Sequence, residues 1–339
     1  MEAISYERAT DVATALRAIR EPGAAFIGGG TNLLDLMKGG VEKPVKLVDI
    51  TRIGAGLDTI GTLPDGGLRI GALVRNSDAA NHALVREGYP LLTQALLAGA
   101  SAQLRNMATV GGNLMQRTRC PYFYDTGFPS CNKRLPGSGC GAIDGHNRGH
   151  AILGASPQCI AVNPSDMSVA LAALDATVHV AGQEGERIIP ISEFHRLPGD
   201  RPDIDTTLRP GELITAIQLP PPAFAEHAHY LKVRDRASYA FALVSVAAAL
   251  RLEGATVSNA RIALGGVAHK PWRATIAEQR LIGRPLSDDT LREAAAAELR
   301  AAHPQRENRF KVTLAERTIV RAVNVAAGRS GAHQTGAST

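Results

Sequence analysis

Residues 24–38 read AAFIGGGTNLLDLMK. Ala24, Ala25, Phe26 and Ile27 make an apolar run of strand length. Leu33, Leu34, Leu36 and Met37 return at helical spacing. Between them stand Gly28, Gly29, Gly30, Thr31 and Asn32. A strand, a glycine loop and a helix start can gather backbone N–H groups around a phosphate, because glycines leave the approach open. An ordinary turn between strand and helix has the same local pattern, so the stretch alone leaves both readings open. It is not the dinucleotide fingerprint G-x-G-x-x-G, since Leu33 stands where the third glycine belongs.

Working outward, DVATALRAIR reads as a helix over residues 11–20 with Thr10 as its cap, and Pro22-Gly23 ends it. Residues 45–50 and 68–74 read as strands, and 77–86 and 90–100 as helices. A second glycine turn follows, Thr109-Val110-Gly111-Gly112-Asn113. Residues 115–159 then show no periodicity and are rich in Gly and Pro. Beyond them, 165–175 reads as a helix capped by Ser165 or Asp166, and 176–180, 187–191 and 213–219 as strands. Pro220-Pro221-Pro222 marks a boundary. Past it come a strand over 230–233 and an apolar run over 239–250 of buried-helix length. A strand over 255–264 and helices over 275–281, 288–302 and 314–327 complete the pattern. The organisation is α+β, with domains at 1–222 and 228–329 and a tail over 330–339 that reads as disordered.

The chain has 339 residues, 45% of them hydrophobic, enough for two or three domains with sizeable cores. No apolar run reaches the roughly 18 residues of a spanning helix, so no membrane partner is expected. The first residues lack the basic-then-apolar pattern of a leader. Net charge is +5 and aromatics are 4%, with no basic helix or stacking platform, which speaks against nucleic acid. The densest basic group is Arg105, Arg117, Arg119, Lys133, Arg134 and Arg148. It reads either as solvated surface or as a positive field for an anionic cofactor or acidic partner.

That basic group surrounds all four cysteines, Cys120, Cys131, Cys140 and Cys159, spaced C-x10-C-x8-C-x18-C. Disulfides, structural zinc and an iron–sulfur cluster compete. A chain with a good core and no leader does not need disulfide staples. Zinc sites favour close pairs, and none is present. Four thiolates are the ligand count of an iron–sulfur cluster, which can be held by a long wrapping loop. A loop as long as 115–159 needs a reason to be ordered, and a cluster supplies one. His146 and His150 lie between the last two cysteines as further candidate ligands. No acid–base pair or nucleophile stands out.

AFIGGGTNLLDLMK, LRNMATVGGNLMQRTRC and CIAVNPSDMSVALAALDATV together resemble the FAD-binding subunits of the molybdenum hydroxylases, the xanthine dehydrogenase and aldehyde oxidoreductase family. Cysteines inserted after TVGGNL resemble the flavoprotein subunit of bacterial heterotrimeric periplasmic aldehyde oxidoreductases in particular. The resemblance spans residues 1–329. It implies a two-lobed FAD domain of the vanillyl-alcohol-oxidase (PCMH) type and a smaller α+β C-terminal domain of the CO-dehydrogenase flavoprotein type. It implies that Phe26, Ile27, Gly28, Gly29, Gly30, Thr31, Asn32, Leu33 and Leu34 cradle the FAD diphosphate, and that Thr109, Gly111, Gly112 and Asn113 make the second contact. Ser165 and Asp166 would lie near the ribityl and adenosine parts, Lys232 near the flavin ring. Cys120, Cys131, Cys140 and Cys159 would ligate a 4Fe–4S cluster.

The implied activity is electron transfer in a molybdenum-dependent oxidation of aldehydes, aromatic ones included, to carboxylic acids. The implied partners are a molybdopterin-binding large subunit, a small subunit with 2Fe–2S clusters and an external acceptor. Folded co-export with a signal-bearing partner would take the chain to the periplasm; without it the cytoplasm is expected. Other readings are the flavin subunit of a xanthine dehydrogenase or 4-hydroxybenzoyl-CoA reductase type enzyme, or a stand-alone FAD oxidoreductase.

Overall fold

The computed structural model describes residues 3–54 and 56–329; the tail expected over 330–339 lies outside them. The first lobe is a parallel three-stranded sheet of β1 (Ser5–Arg8), β2 (Ala24–Ile27) and β3 (Lys46–Asp49), with β3 in the middle. The connecting helix Val12–Ala18 is capped by Asp11, not by Thr10: Asp11 Oδ1 accepts from the Thr14 N–H at 2.7 Å. Asp11 reaches the third helical N–H, and Thr10 only donates to the Asp11 carboxylate. Val48 packs with Ala15 and Leu57 in the core of this lobe.

The second lobe is an antiparallel sheet of β4 (Ile60–Thr62), β5 (Leu68–Gly71), β6 (Thr177–Gly182), β7 (Gly185–Pro190) and β8 (Leu213–Leu219), in the order β4-β5-β8-β6-β7. Helix Asp166–Ala173 is buried at every residue, and Ser165 caps it by accepting from the Ser168 N–H at 3.0 Å. The helix expected over 77–86 is two pieces, Asn76–Asn81 and Ala83–Gly88. The chain turns extended at His82, with ψ 133°.

A third, antiparallel sheet holds β9 (Ala228–Val233), β10 (Val244–Glu253), β11 (Thr256–Gly265) and β12 (Trp272–Arg273) in the order β12-β11-β10-β9. The apolar run over 239–250, of buried-helix length, therefore leads into strand β10 from Val244 and forms no helix. Val244, Val246, Ala248 and Leu250 face the helices of this domain, Thr275–Leu281, Asp288–Leu299 and Phe310–Ala326. Ala247 and Ala249 face the other way, into the core of the second lobe with Leu92 and Leu171. A strand buried on both faces shows no alternation, so its pattern cannot be told from a buried helix.

Residues 115–159 contain only two single turns of helix, Pro121–Tyr124 and Gly141–Asp144. Polar anchors hold them. Lys133 is 3% exposed, pairs with Asp205 and donates to the Pro202 carbonyl at 2.7 Å. Arg117 pairs with Asp205 and Glu42. Arg117 and Lys133 of the basic group thus serve as anchors of this loop. Arg105 and Arg134 are spent on carbonyls, and Arg148 on Asp235. Burial alone would push the Asp205 carboxyl up, but Lys133 and Arg117 outweigh it and hold the group down to about 2. A carboxylate lowered in the fold stabilises it above the unfolded pKa and loses that contribution as pH falls through the folded one. Asp205→Asn should cost at least about 2 kcal/mol at neutral pH. In denaturant titrations, the gap to the parent should shrink as pH falls from about 4 to about 2.

Candidate cofactor cavity and cysteine cavity

The first glycine loop leaves β2 at Ile27 and runs into helix Leu33–Lys38. A Cβ on Gly29 would stand 1.8 Å from the Met107 carbonyl oxygen, and one on Gly28 would stand 3.2 Å from Thr109 Oγ1. Gly30 sits at φ +73°. The glycines therefore let the two glycine loops pack backbone against backbone. Among the described residues, no backbone N–H from Gly28 to Asn32 donates to a protein acceptor. A run of free N–H groups beside a cavity is what an anionic diphosphate requires.

The second loop is different. Val110 N–H donates to the Val74 carbonyl, Gly111 N–H to the Ala72 carbonyl, Gly112 N–H to Thr109 Oγ1 and Asn113 N–H to the Thr109 carbonyl. Its backbone donors are spent within the protein. The second loop supports the first and presents the Asn113 side chain. Asn113 Oδ1 accepts from Ser165 Oγ at 2.7 Å and Gln116 Nε2 at 2.6 Å.

A cavity of about 530 Å³ lies beside these loops, where both lobes meet the C-terminal domain. Of the expected contacts, Thr31, Asn32, Gly112, Asn113, Asp166 and Lys232 line it. Phe26 packs against the first-lobe core, Ser165 lines a second cavity, and Ile27, Gly28, Gly29, Gly30, Leu33, Leu34, Thr109 and Gly111 are not in the lining. Asp166 Oδ1 accepts from the Tyr230 hydroxyl at 2.6 Å, and Oδ2 accepts from Lys232 Nζ at 2.7 Å. Lys232 also donates to the Ala98 carbonyl at 3.1 Å. The cation expected beside the flavin is thus half of a buried ion pair. A carboxylate has about four acceptor positions, and Asp166, which lines the cavity, uses two on these donors, which suits sugar-alcohol hydroxyls at the rest.

Arg119, a member of the basic group, also lines this cavity. It donates to Asp35, Asn32 and the Tyr124 hydroxyl, and its guanidinium carbon lies 5.2 Å from the Phe241 ring centroid. Its buried Nε has no partner. An orphaned guanidinium N–H on a residue that lines the cavity fits an anionic cofactor.

Arg119, Pro164, Asp166 and Phe241 also line a second cavity of about 340 Å³ that reaches Ser165 and Cys120. Behind Cys120 is a small cavity of about 20 Å³ lined by all four cysteines. The thiols are free, and Cys131 and Cys159 are buried. Among the described residues, no three His, Cys, Asp or Glu groups stand close enough to hold a single metal ion. A tetrahedral zinc site needs sulfurs about 3.8 Å apart, from Zn–S bonds of about 2.3 Å; a cubane holds them wider. Burial pushes the Cys120 thiol up to about 12 and the Cys159 thiol up to about 11. N–H groups of Phe123 and Tyr122 at Cys120, and of Ala161 at Cys159, work against that rise. Donors aimed at buried sulfur favour thiolates, so the donor set fits an iron–sulfur cluster.

The model of the FAD binding domain in molybdopterin dehydrogenase matches residues 2–222, and that of the CO dehydrogenase flavoprotein C-terminal domain matches residues 229–326. The chain belongs to the FAD-binding subunits of the molybdenum hydroxylases. It is 56% identical over 322 residues to the aldehyde oxidoreductase FAD-binding subunit PaoB of Escherichia coli (strain K12), covering 94% of this chain and 96% of that one. It is 28% identical over 306 residues, 90% of each chain, to the glyceraldehyde dehydrogenase medium chain of Sulfolobus acidocaldarius. The solved carbon monoxide dehydrogenase from Hydrogenophaga pseudoflava matches with a TM-score of 0.75 at 25% identity, over 97% of this chain and 98% of that one. The chain is accordingly a subunit of an oxidoreductase, with the two-lobed FAD domain and smaller C-terminal domain that its sequence implied.

In this flavoprotein subunit Gly29→Ala must push residues 28–32 off residues 107–109. The expected result is a more than tenfold loss of bound flavin per chain with an unchanged far-ultraviolet circular dichroism spectrum. Flavin released by denaturation, measured against protein, checks it.

Proposed function

We propose that this chain is the electron-transfer subunit of a molybdenum-dependent aldehyde oxidoreductase, carrying FAD and a 4Fe–4S cluster in adjoining cavities. The observation that carries the reading is the meeting of four free thiols in one cavity that shares Cys120 and His150 with the cavity next to the FAD site. The 56% identical relative, named as an aldehyde oxidoreductase subunit, supports the substrate class. FAD when bound supplies a two-electron centre and the cluster a one-electron centre, so the pair can convert between one- and two-electron traffic.

The chain's own residues bind, orient and insulate. Free N–H groups from Gly28 to Asn32 and the Arg119 guanidinium hold the diphosphate. Asn113, Ser165 and Asp166 hydrogen-bond the ribityl and adenosine hydroxyls. Lys232, ion-paired with Asp166 at 2.7 Å, stands on the flavin side of the cavity and favours negative charge there. Cys120, Cys131, Cys140 and Cys159 hold the cluster as thiolates, and Phe123, with Arg117 over its ring at 4.8 Å, helps keep water from it. No acid, base or nucleophile of this chain is required, because aldehyde oxidation belongs to a molybdopterin-binding large subunit. A small subunit with 2Fe–2S clusters would deliver electrons, and an external acceptor would remove them. Residues 1–222 and 228–329 are the FAD and C-terminal domains in this reading, with the iron–sulfur insertion at 115–159. Co-export with a signal-bearing partner to the periplasm is consistent with cofactors loaded into a folded chain; without such a partner the chain stays in the cytoplasm.

The full chain, prepared with iron and sulfide, should show flavin and iron–sulfur absorbance together. A Cys120→Ser, Cys131→Ser double variant should lose iron and acid-labile sulfide and keep its flavin. Retention of iron in that variant would refute the ligand assignment. Assembled with its partners, the parent should reduce an artificial acceptor with an aromatic aldehyde.

A further inference from the structure

We infer that His150 donates a hydrogen bond to the Cys120 sulfur and thereby raises the reduction potential of the cluster; this rests on the cluster reading of the cysteine cavity. His150 is 6% exposed, and its Nε2 lies 3.2 Å from Cys120 Sγ. Its other ring nitrogen, Nδ1, is buried and has no partner. The Cys120 sulfur is therefore the ring's one hydrogen-bond partner among the described residues.

The backbone beneath that ring is held unusually firmly. The His150 N–H donates to the Asn147 carbonyl at 3.0 Å. The His150 carbonyl accepts from Lys311 Nζ at 2.8 Å and from Asn308 Nδ2 at 3.1 Å. Asn147, Asn308 and Lys311 are all fully buried. Lys311 has no carboxylate partner among the described residues and also donates to the Gly149 and Gly266 carbonyls. Asn147 in turn donates to the Ala142 and Ile143 carbonyls and accepts from the Glu307 N–H.

Three buried polar side chains are a costly way to order a short segment, which apolar packing would order at less cost. What they secure, and apolar packing does not, is a fixed direction for an imidazole aimed at a sulfur. An N–H at a ligand sulfur withdraws negative charge from the cluster. That bond is stronger in the reduced, more negative form, so it favours reduction. His150 is thus a positioning residue that acts through Cys120. It also lines the cavity next to the flavin site, so the tuned sulfur is on the flavin side of the cluster.

The test compares the full chain, His150→Gln and His150→Leu after preparation with iron and sulfide. Iron per chain is measured first, then the cluster midpoint potential by a redox titration followed by electron paramagnetic resonance. Glutamine places its amide nitrogen where Nε2 stands, so His150→Gln should stay close to the parent potential. His150→Leu should keep about four irons per chain and shift to a lower potential. A His150→Leu potential equal to the parent's, with iron intact, overturns the inference. So does loss of iron from His150→Gln, which would make His150 a ligand. A parent without iron refutes the cluster reading itself, and the inference falls with it; the iron assay tells these failures apart.

Discussion

Asp166 holds the molecule together at its cofactor cavity. It opens a helix buried along its whole length, and it takes the Tyr230 hydroxyl and the Lys232 ammonium from the C-terminal domain. A carboxylate in such a place is stable only while both partners stay, since removing one leaves an unpaired buried charge. The pair therefore fixes β9 against the second lobe at the point where the cavity needs a wall. Gly99 is small enough for this; a Cβ there would stand 3.3 Å from Asp166 Oδ2. The apolar core continues across the same boundary through Ala247, Ala249 and Ala263. The two domains thus meet as one packed surface around the cavity.

The cysteine loop is ordered by a different balance. It has little regular structure, and its apolar satellite core is small, built on Leu36, Phe123 and Cys131. Buried charges and amides do the rest: Lys133 and Arg117 on one side with Asp205, and Asn147 on the other with the C-terminal domain. Such anchors fix direction better than they add stability. A loop built to carry a redox group needs direction, because the sulfurs must meet one centre and the flavin cavity must lie next to it.

Much of this was legible in the chain. Glycine loops, cysteine count and the boundary at Pro220 are local features, and local features survive translation into structure. Residues 28–32 and the helix cap at Ser165 stand where the pattern put them. The apolar run over 239–250 did not disclose strand β10 because both faces of β10 are buried, which erases the period that distinguishes strand from helix. The partners of the second glycine loop are non-local: Ala72 and Val74 take the N–H groups of Gly111 and Val110, and nothing near 109–113 announces them. Arg119 was legible only as a member of the basic group. Its function depends on Asn32 and Asp35, more than eighty residues earlier in the chain. Lys232 was found by resemblance, but its pairing with Asp166 required the fold.

Two redox groups held side by side on one chain is the claim on which the account stands. An anaerobic reductive titration of the full chain, followed optically, tests it most directly. The account predicts uptake of about three electron equivalents per chain, about two at the flavin and about one at the cluster, with bleaching in both absorbance regions. Uptake of about two, confined to the flavin bands of a chain supplied with iron and sulfide, would contradict it.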